Sequence, residues 1–264
     1  MSRVSRMVAV LTAALLALAM AVPALAQTGD AQVRVAHLSP DAPNVDVYVN
    51  GEPVEALQDV AYGTVSPYLP LPPGTQQVTV FAAGDTSTPV IDTPVDLASG
   101  AAYTIGAVGL VEDGSLTAQV YEDDLAAPSE GNGKVRAVHA VPDAGPVDIV
   151  PAGGEPLVTG LEFPNASPYA EVPADSYTLN VNAAGTDQTL ISADADVEAG
   201  NIYSAFAVGT AAAESLDVIL TVDSSGMTEM PDTGGPSPAW IVGVGTLALA
   251  VGVTGLYALR RRSA

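Results

Sequence analysis

The chain has no cysteine among its 264 residues. That excludes a disulfide, a thiolate metal site, a thiol nucleophile and a lipid-modified cysteine. Aromatic residues make up only 5% of the chain, while 48% is hydrophobic. Any core must therefore be built mainly from Val, Ala, Leu and Ile. Cations are also scarce, with 8 Lys and Arg against 30 Asp and Glu. Arg3 and Arg6 stand at one end and Arg260, Arg261 and Arg262 at the other. Between them only Arg34, Lys134 and Arg136 face all 30 acids, a net of −27. Such a surface repels nucleic acid and anionic lipid, so no nucleic-acid partner is expected. It suits a solvated exterior, a salty medium or weak binding of divalent cations. No phosphate-cradling glycine loop and no glycine-bordered nucleophile elbow occurs. No cofactor is expected, and the chain does not read as an enzyme.

What is present is a duplication. Val33-Arg34-Val35-Ala36-His37-Leu38-Ser39-Pro40-Asp41-Ala42-Pro43-Asn44-Val45-Asp46-Val47 returns as Val135-Arg136-Ala137-Val138-His139-Ala140-Val141-Pro142-Asp143-Ala144-Gly145-Pro146-Val147-Asp148-Ile149. His37 and His139, the only two histidines, stand 102 residues apart. Arg34/Arg136, Pro40/Pro142, Asp41/Asp143 and Asp46/Asp148 keep that spacing. Gly51-Glu52-Pro53, Ser66-Pro67-Tyr68, Gly100 and Tyr103 return as Gly154-Glu155-Pro156, Ser167-Pro168-Tyr169, Gly200 and Tyr203. A repeat of this length is one small domain, not a solenoid unit. The expected order is a signal peptide (1–26), a first module (32–124), a linker (125–133) and a second module (134–223). A stalk (224–239), an apolar helix (240–259) and a basic tail (260–264) follow.

The ends carry targeting signals. Arg3 and Arg6, an apolar run over 7–21, Pro23 and Ala24-Leu25-Ala26 form a secretory signal with a small-x-small cleavage site. Residues 240–259 are uncharged, long enough to cross a bilayer, and flanked by Trp240 and the three terminal arginines. This predicts a single-pass segment with its C-terminus inside.

Within the modules the pattern has period two. Val33, Val35 and His37 alternate with Arg34, Ala36 and Leu38, and Val45, Val47 and Val49 with Asp46, Tyr48 and Asn50. Asn50-Gly51 is a hairpin signal, and Pro73-Gly74 and Asp113-Gly114 mark turns. No stretch reads as an amphipathic helix. The expectation is all-β: two tandem Ig-like, antiparallel β-sandwiches of about seven strands each, behaving as separate modules.

Two resemblances carry further expectations. Met230-Pro231-Asp232-Thr233-Gly234, followed by the apolar span and basic tail, resembles the cell-wall sorting signal of Gram-positive bacteria, Leu-Pro-x-Thr-Gly, with Met230 in place of Leu. That implies a sortase partner, cleavage between Thr233 and Gly234, and attachment to peptidoglycan; retention by the membrane helix is the alternative. The opening motif resembles the start of the bacterial domain-of-unknown-function family 4397, closely in the first copy and more loosely in the second. The resemblance implies secreted or surface β-sandwich modules with no established activity.

The repeated polar residues His37, Pro40, Asp41, Asp46, His139, Pro142, Asp143 and Asp148 form the candidate motif. Each histidine is expected to be a buried imidazole bonded to a carboxylate or the backbone, pinning the first strand to the next. A His/Asp metal site is a weaker alternative because structural zinc favours Cys or several His. A His/Asp pair serving Ser39 is weaker still, because Val141 replaces that serine in the second copy. Glu122-Asp123-Asp124 and the acids at 194, 196 and 198 read as solvated edges, with calcium bridging of the modules as the alternative, although no loop has regular calcium-ligand spacing. Function is read as non-enzymatic adhesion, structure or ligand display at the cell surface. The alternative is an extracellular receptor for a small ligand, a divalent metal or a sugar stacking on Tyr48, Tyr62, Tyr68, Tyr103, Tyr121, Tyr169, Tyr177 or Tyr203.

Overall fold

The structure, a computed structural model, describes residues 29–224. The segments expected to form the signal peptide, sorting motif, apolar helix and basic tail lie outside the described residues. Among the described residues no helix is long and apolar enough to cross a membrane.

The described residues are all-β, with almost no helix. The first module contains β1 (Ala31–His37), β2 (Val45–Val49), β3 (Glu52–Pro53), β4 (Leu69–Leu71), β5 (Gly74–Ala82), β6 (Pro89–Leu97), β7 (Ala102–Val108) and β8 (Thr117–Asp123). One 3-10 turn, Glu55–Leu57, interrupts it. The second module contains β9 (Asn132–His139), β10 (Val147–Pro151), β11 (Val158–Leu161), β12 (Ala170–Pro173), β13 (Asp175–Ala183), β14 (Thr189–Val197), β15 (Ile202–Val208) and β16 (Asp217–Ser224). Asn50 and Gly51 adopt φ of 53° and 84°, the left-handed pair that lets β2 fold back tightly on β3.

Each module is a sandwich of two four-stranded sheets, ordered β4-β1-β7-β8 and β3-β2-β5-β6 in the first and β12-β9-β15-β16 and β11-β10-β13-β14 in the second. The antiparallel expectation needs correction. β1 pairs with β7 in parallel, and β9 with β15 likewise, so one sheet in each module is mixed. The cause is connectivity: strands of the opposite sheet intervene before the chain returns beside its first strand.

The two faces of β1 explain the architecture. Val33 and Val35 join Val47, Val80, Tyr103 and Ile105 in the core between the sheets of the first module. Ala36 and Leu38, on the opposite parity, join Val108, Tyr121, Val138, Ala140, Phe206 and Val208 in a core shared by both modules. The mixed sheets thus pack face to face, and the sandwiches form four layers. β7 is accordingly buried at every residue, on both faces. The two modules are not separate in packing: the described residues of both fall within one compact unit and share this core. The apolar character of both parities is the reason: neither mixed sheet can leave its outer face in water.

Residues 27–226 should therefore unfold in a single calorimetric transition, with equal calorimetric and van't Hoff enthalpies. Two resolved transitions would show that the modules are independent.

Candidate functional site

The seam between the mixed sheets holds a buried polar cluster that the two modules build reciprocally. Arg34 Nη1 of β1 donates to Asp223 Oδ1 of β16 at 2.6 Å. Arg136 Nη2 of β9 donates to Asp123 Oδ1 of β8. Each module thus supplies an arginine to the last strand of the other. The four side chains are at most 3% exposed. Arg34 Nε donates to Thr104 Oγ1 at 2.8 Å, and Arg136 Nε to Ser204 Oγ at 2.8 Å. Their outer nitrogens cross over, Arg34 to Ser204 and Arg136 to Thr104, each at 3.2 Å.

The aspartates are saturated from their own modules. Thr104 and Tyr68 donate to Asp123 Oδ2 at 2.6 and 2.5 Å. Ser204 and Tyr169 donate to Asp223 Oδ2 at 2.5 and 2.8 Å. Burial pushes the Tyr68 and Tyr169 phenols well above their usual pKa, so both remain donors. Burial alone would lower the Arg34 pKa, but Asp223, Tyr68 and Asp123 together outweigh it and hold the guanidinium above its ordinary value. Each guanidinium also lies between rings, Arg34 over Tyr68 at 4.8 Å and Phe206 at 5.9 Å, Arg136 over Tyr169 at 4.7 Å and Tyr121 at 5.9 Å.

Lys134 bonds Asp124 at 2.8 Å and the Ala126 carbonyl at 2.7 Å, tying down the start of the linker. Arg34, Lys134 and Arg136 are all buried. Among the described residues, no cation remains on the surface.

The repeated motif residues lie at loops on the first strands. His37 Nε2 bonds the Pro43 carbonyl at 3.0 Å, and His139 Nε2 the Gly145 carbonyl at 3.1 Å. The partner is backbone in both copies, so each imidazole holds the loop after its strand. His139 Nδ1 also accepts the Val141 N–H at 3.3 Å, which fixes the neutral Nε2–H tautomer. His37 Nδ1 has no hydrogen-bond partner.

Pro40 and Pro142 stand in those loops, one residue before an aspartate that clamps a distant turn. Asp41 accepts the N–H groups of Val111 and Glu112, each at 2.9 Å, and Asp143 those of Ala211 and Ala212, each at 2.8 Å. Asp46 accepts from Asp59 and Gly84 at 2.7 and 3.0 Å, and Asp148 from Gly160 and Gly185 at 2.7 and 2.9 Å. Ser39 Oγ donates to Asp41 and makes no bond to His37. Among the described residues no group of three or more His, Asp or Glu is arranged to hold a metal ion.

The acidic clusters disperse in space. Asp123 lies in the seam, Asp124 on Lys134, and Asp194 and Asp196 on Thr178 and Ser176 at 2.7 and 2.6 Å. Most of the tyrosines are engaged. Tyr103 and Tyr203 are buried and accept the Ala98 and Glu198 N–H groups with their hydroxyls at 3.1 and 3.0 Å. Tyr121 reaches the Pro164 carbonyl of the other module at 2.7 Å.

Where the seam meets the surface it opens into a cleft of about 980 Å³ lined by Gln32, Gln119, Glu122, Arg136, Asn165 and Tyr169, among others. Its floor is the paired Arg136 and Asp123. No free base or nucleophile faces it from the network, because those carboxylates are already saturated.

Sequence reasoning missed the Arg–Asp–Tyr network. The available signal was that only three cations interrupt the acidic stretch, and two of them recur at the same place between apolar neighbours.

These features define a class of protein: an all-β double module whose repeated polar residues are spent on internal bonds. The chain belongs to the family described as Domain of unknown function (DUF4397), which matches residues 31–150 and 133–230. No curated protein matches it. Among solved structures, the Bacillus anthracis TIE protein is 11% identical over 69% of this chain and 34% of its own, with a TM-score of 0.22. CBMbc (family CBM26) from Eubacterium rectale Amy13K, in complex with maltoheptaose, is 11% identical over 72% of this chain and 96% of its own, with a TM-score of 0.23. A putative cell adhesion protein from Bacteroides fragilis is 10% identical over 76% of this chain and 99% of its own, with a TM-score of 0.18. Likenesses this low carry no argument about function.

Two outcomes follow from the geometry. Arg136→Met leaves the Asp123 charge buried with Arg34 3.8 Å away as its remaining cation, and should cost about 3–5 kcal/mol in denaturant unfolding. Because Arg34 and Arg136 share Thr104 and Ser204, the double variant should depart from additivity by about 0.5–3 kcal/mol. Strict additivity would show that the network does not act as a unit.

The second outcome concerns pH. Burial lowers the pKa of His37 and His139, and the single carbonyl bond offsets this only in part. Above about pH 6.5 both states are neutral and stability is full. Below it the unfolded chain takes up protons that the native imidazoles resist, so stability falls. Tm should be flat from pH 8 to 7 and drop between about 6.5 and 5. The double variant His37→Gln, His139→Gln should be flat across that window. A further loss below about pH 4 should persist in it. Backbone donors outweigh burial to lower the Asp41 pKa, and the Gly185 and Gly160 N–H groups lower that of Asp148.

Proposed function

We propose that this is an exported, surface-held, non-enzymatic protein whose locked double sandwich serves as a stiff unit for adhesion, cell-surface structure or ligand display. The observation that carries the reading is the use of the repeated residues. Arginines, histidines, aspartates and seam tyrosines are engaged in holding strands, loops and modules together. A catalytic reading needs a reactive group left available within reach of a base, and the motif supplies none. The anionic exterior, with its cations buried in the seam, suits a solvated extracellular surface. Export and anchoring rest on the leader-like residues 1–26 and on Met230-Pro231-Asp232-Thr233-Gly234 with the apolar segment and arginines that follow.

Fractionation of the source cell and mass spectrometry of wall digests test the reading. The expected product is a mature chain in the envelope fraction, beginning near Gln27, with a C-terminal peptide that ends at Thr233 and carries a wall fragment. Recovery in the cytosol would overturn export. Intact Arg260–Arg262 in the mature protein would replace wall attachment with membrane retention. Loss of surface attachment on deleting the protein, restored by wild type, would support adhesion.

The cleft beside Arg136 favours a second reading, a receptor for a polar neutral ligand such as a sugar. Its amides and carboxylates are arranged around an opening large enough for one. Glycan-array and calorimetric screens separate the two readings.

A further inference from the structure

The two modules are built to one plan, but their inner cores are not filled alike. Equivalent strand registers align the modules residue by residue. Val33 and Val35 face Tyr103 and Ile105 across β1 and β7, as Val135 and Ala137 face Tyr203 and Ala205 across β9 and β15. Gln76 pairs with Val95 where Tyr177 pairs with Ala195. Val35, Ile105 and Val95 of the first core are therefore Ala137, Ala205 and Ala195 in the second.

Packing registers the loss. The first core is one continuous cluster containing Val35, Val95 and Ile105. The second is split into two, one around Val147, Ile149, Leu161 and Val181 and the other around Val172, Val197 and Tyr203. The space dividing them is a cavity of two adjoining lobes of about 40 and 50 Å³. Both lobes are lined by Ala137, Ile149, Leu179, Ala195, Ala205 and Leu220. Each lobe is several times the roughly 10–15 Å³ that one water needs, yet its lining is almost wholly apolar, so water gains too few hydrogen bonds there. Leu157, which lines one lobe, and Leu220, which lines both, are 39% and 36% exposed and stand where the cavity reaches the surface.

We propose that the second module carries a binding pocket for a small aliphatic group, with the three alanines as its floor and Leu157 and Leu220 at its mouth. The occupant replaces the branched alkyl groups that Val35, Val95 and Ile105 supply in the first module, a bulk of roughly seven carbons beyond the three alanines. A charged or strongly polar head remains outside, because the polar lining residues His139, Asp194, Arg136 and Ser167 are already bonded to Gly145, Thr178, Asp123 and Ala137. The ligand class is thus the alkyl end of a small amphiphile. In the first module Val35, Val95 and Ile105 occupy the equivalent positions in a continuous core.

The test uses residues 27–226, which contain all four sheets and lie within the compact unit, with 1-hexanol as the probe. Methyl NMR should show saturable shifts at Ala137, Ala195 and Ala205 and none at Val35, Val95 or Ile105. Tm should rise by about 2–8 °C at saturation. Ala205→Ile should abolish the shifts and melt higher than wild type without hexanol; Ala195→Val provides the same reading if the larger side chain misfolds. Absence of saturable shifts in the wild type would overturn the proposal. So would shifts that persist unchanged in both filled variants.

Discussion

The reciprocal exchange of arginines across the seam is the constraint on which the rest of the structure depends. Two guanidinium–carboxylate pairs buried this deeply are stable only when every remaining lone pair and N–H is also engaged. Thr104, Ser204, Tyr68 and Tyr169 meet that requirement, and each comes from a fixed place in a strand or strand entry. Satisfying the cluster sets the register of β1 against β16 and of β9 against β8. An apolar seam of equal area would tolerate sliding; this one has a single arrangement in which all charges are paired.

The same economy runs through the repeated motif. His37 and His139 hold the loop leaving the first strand, while Asp41 and Asp143 reach from that loop to the turn that leaves the parallel partner strand at the same end. Asp46 and Asp148 join two further loops on the opposite sheet. Each carboxylate accepts two backbone N–H groups that would otherwise depend on water. Loops without helices, disulfides or metals need such clamps, and the duplicated residues supply them twice.

Duplication also frees one copy to diverge. The first module fills its inner core with Val and Ile at the places where the second has alanine. The seam bonds recur in both copies, and in the inner core an undersized residue lowers local packing without disturbing the pairing between modules.

Much of the fold was legible in the chain itself. Period-two alternation, Asn50-Gly51 and the 102-residue spacing of the histidines indicate sandwich strands, a tight hairpin and two copies of one module. These are local features, set by side-chain direction and backbone dihedrals. The parallel pairing of β1 with β7, the face-to-face packing of the mixed sheets and the partners of Arg34 and Arg136 belong to tertiary structure alone. Arg34 and Asp223 lie 189 residues apart, and nothing local to either names the other. An arginine between two valines reads as a solvated face until a second sheet covers it. Local sequence determined which way each side chain points; only the tertiary fold decided what it meets, because burial and pairing depend on surfaces that distant segments bring together.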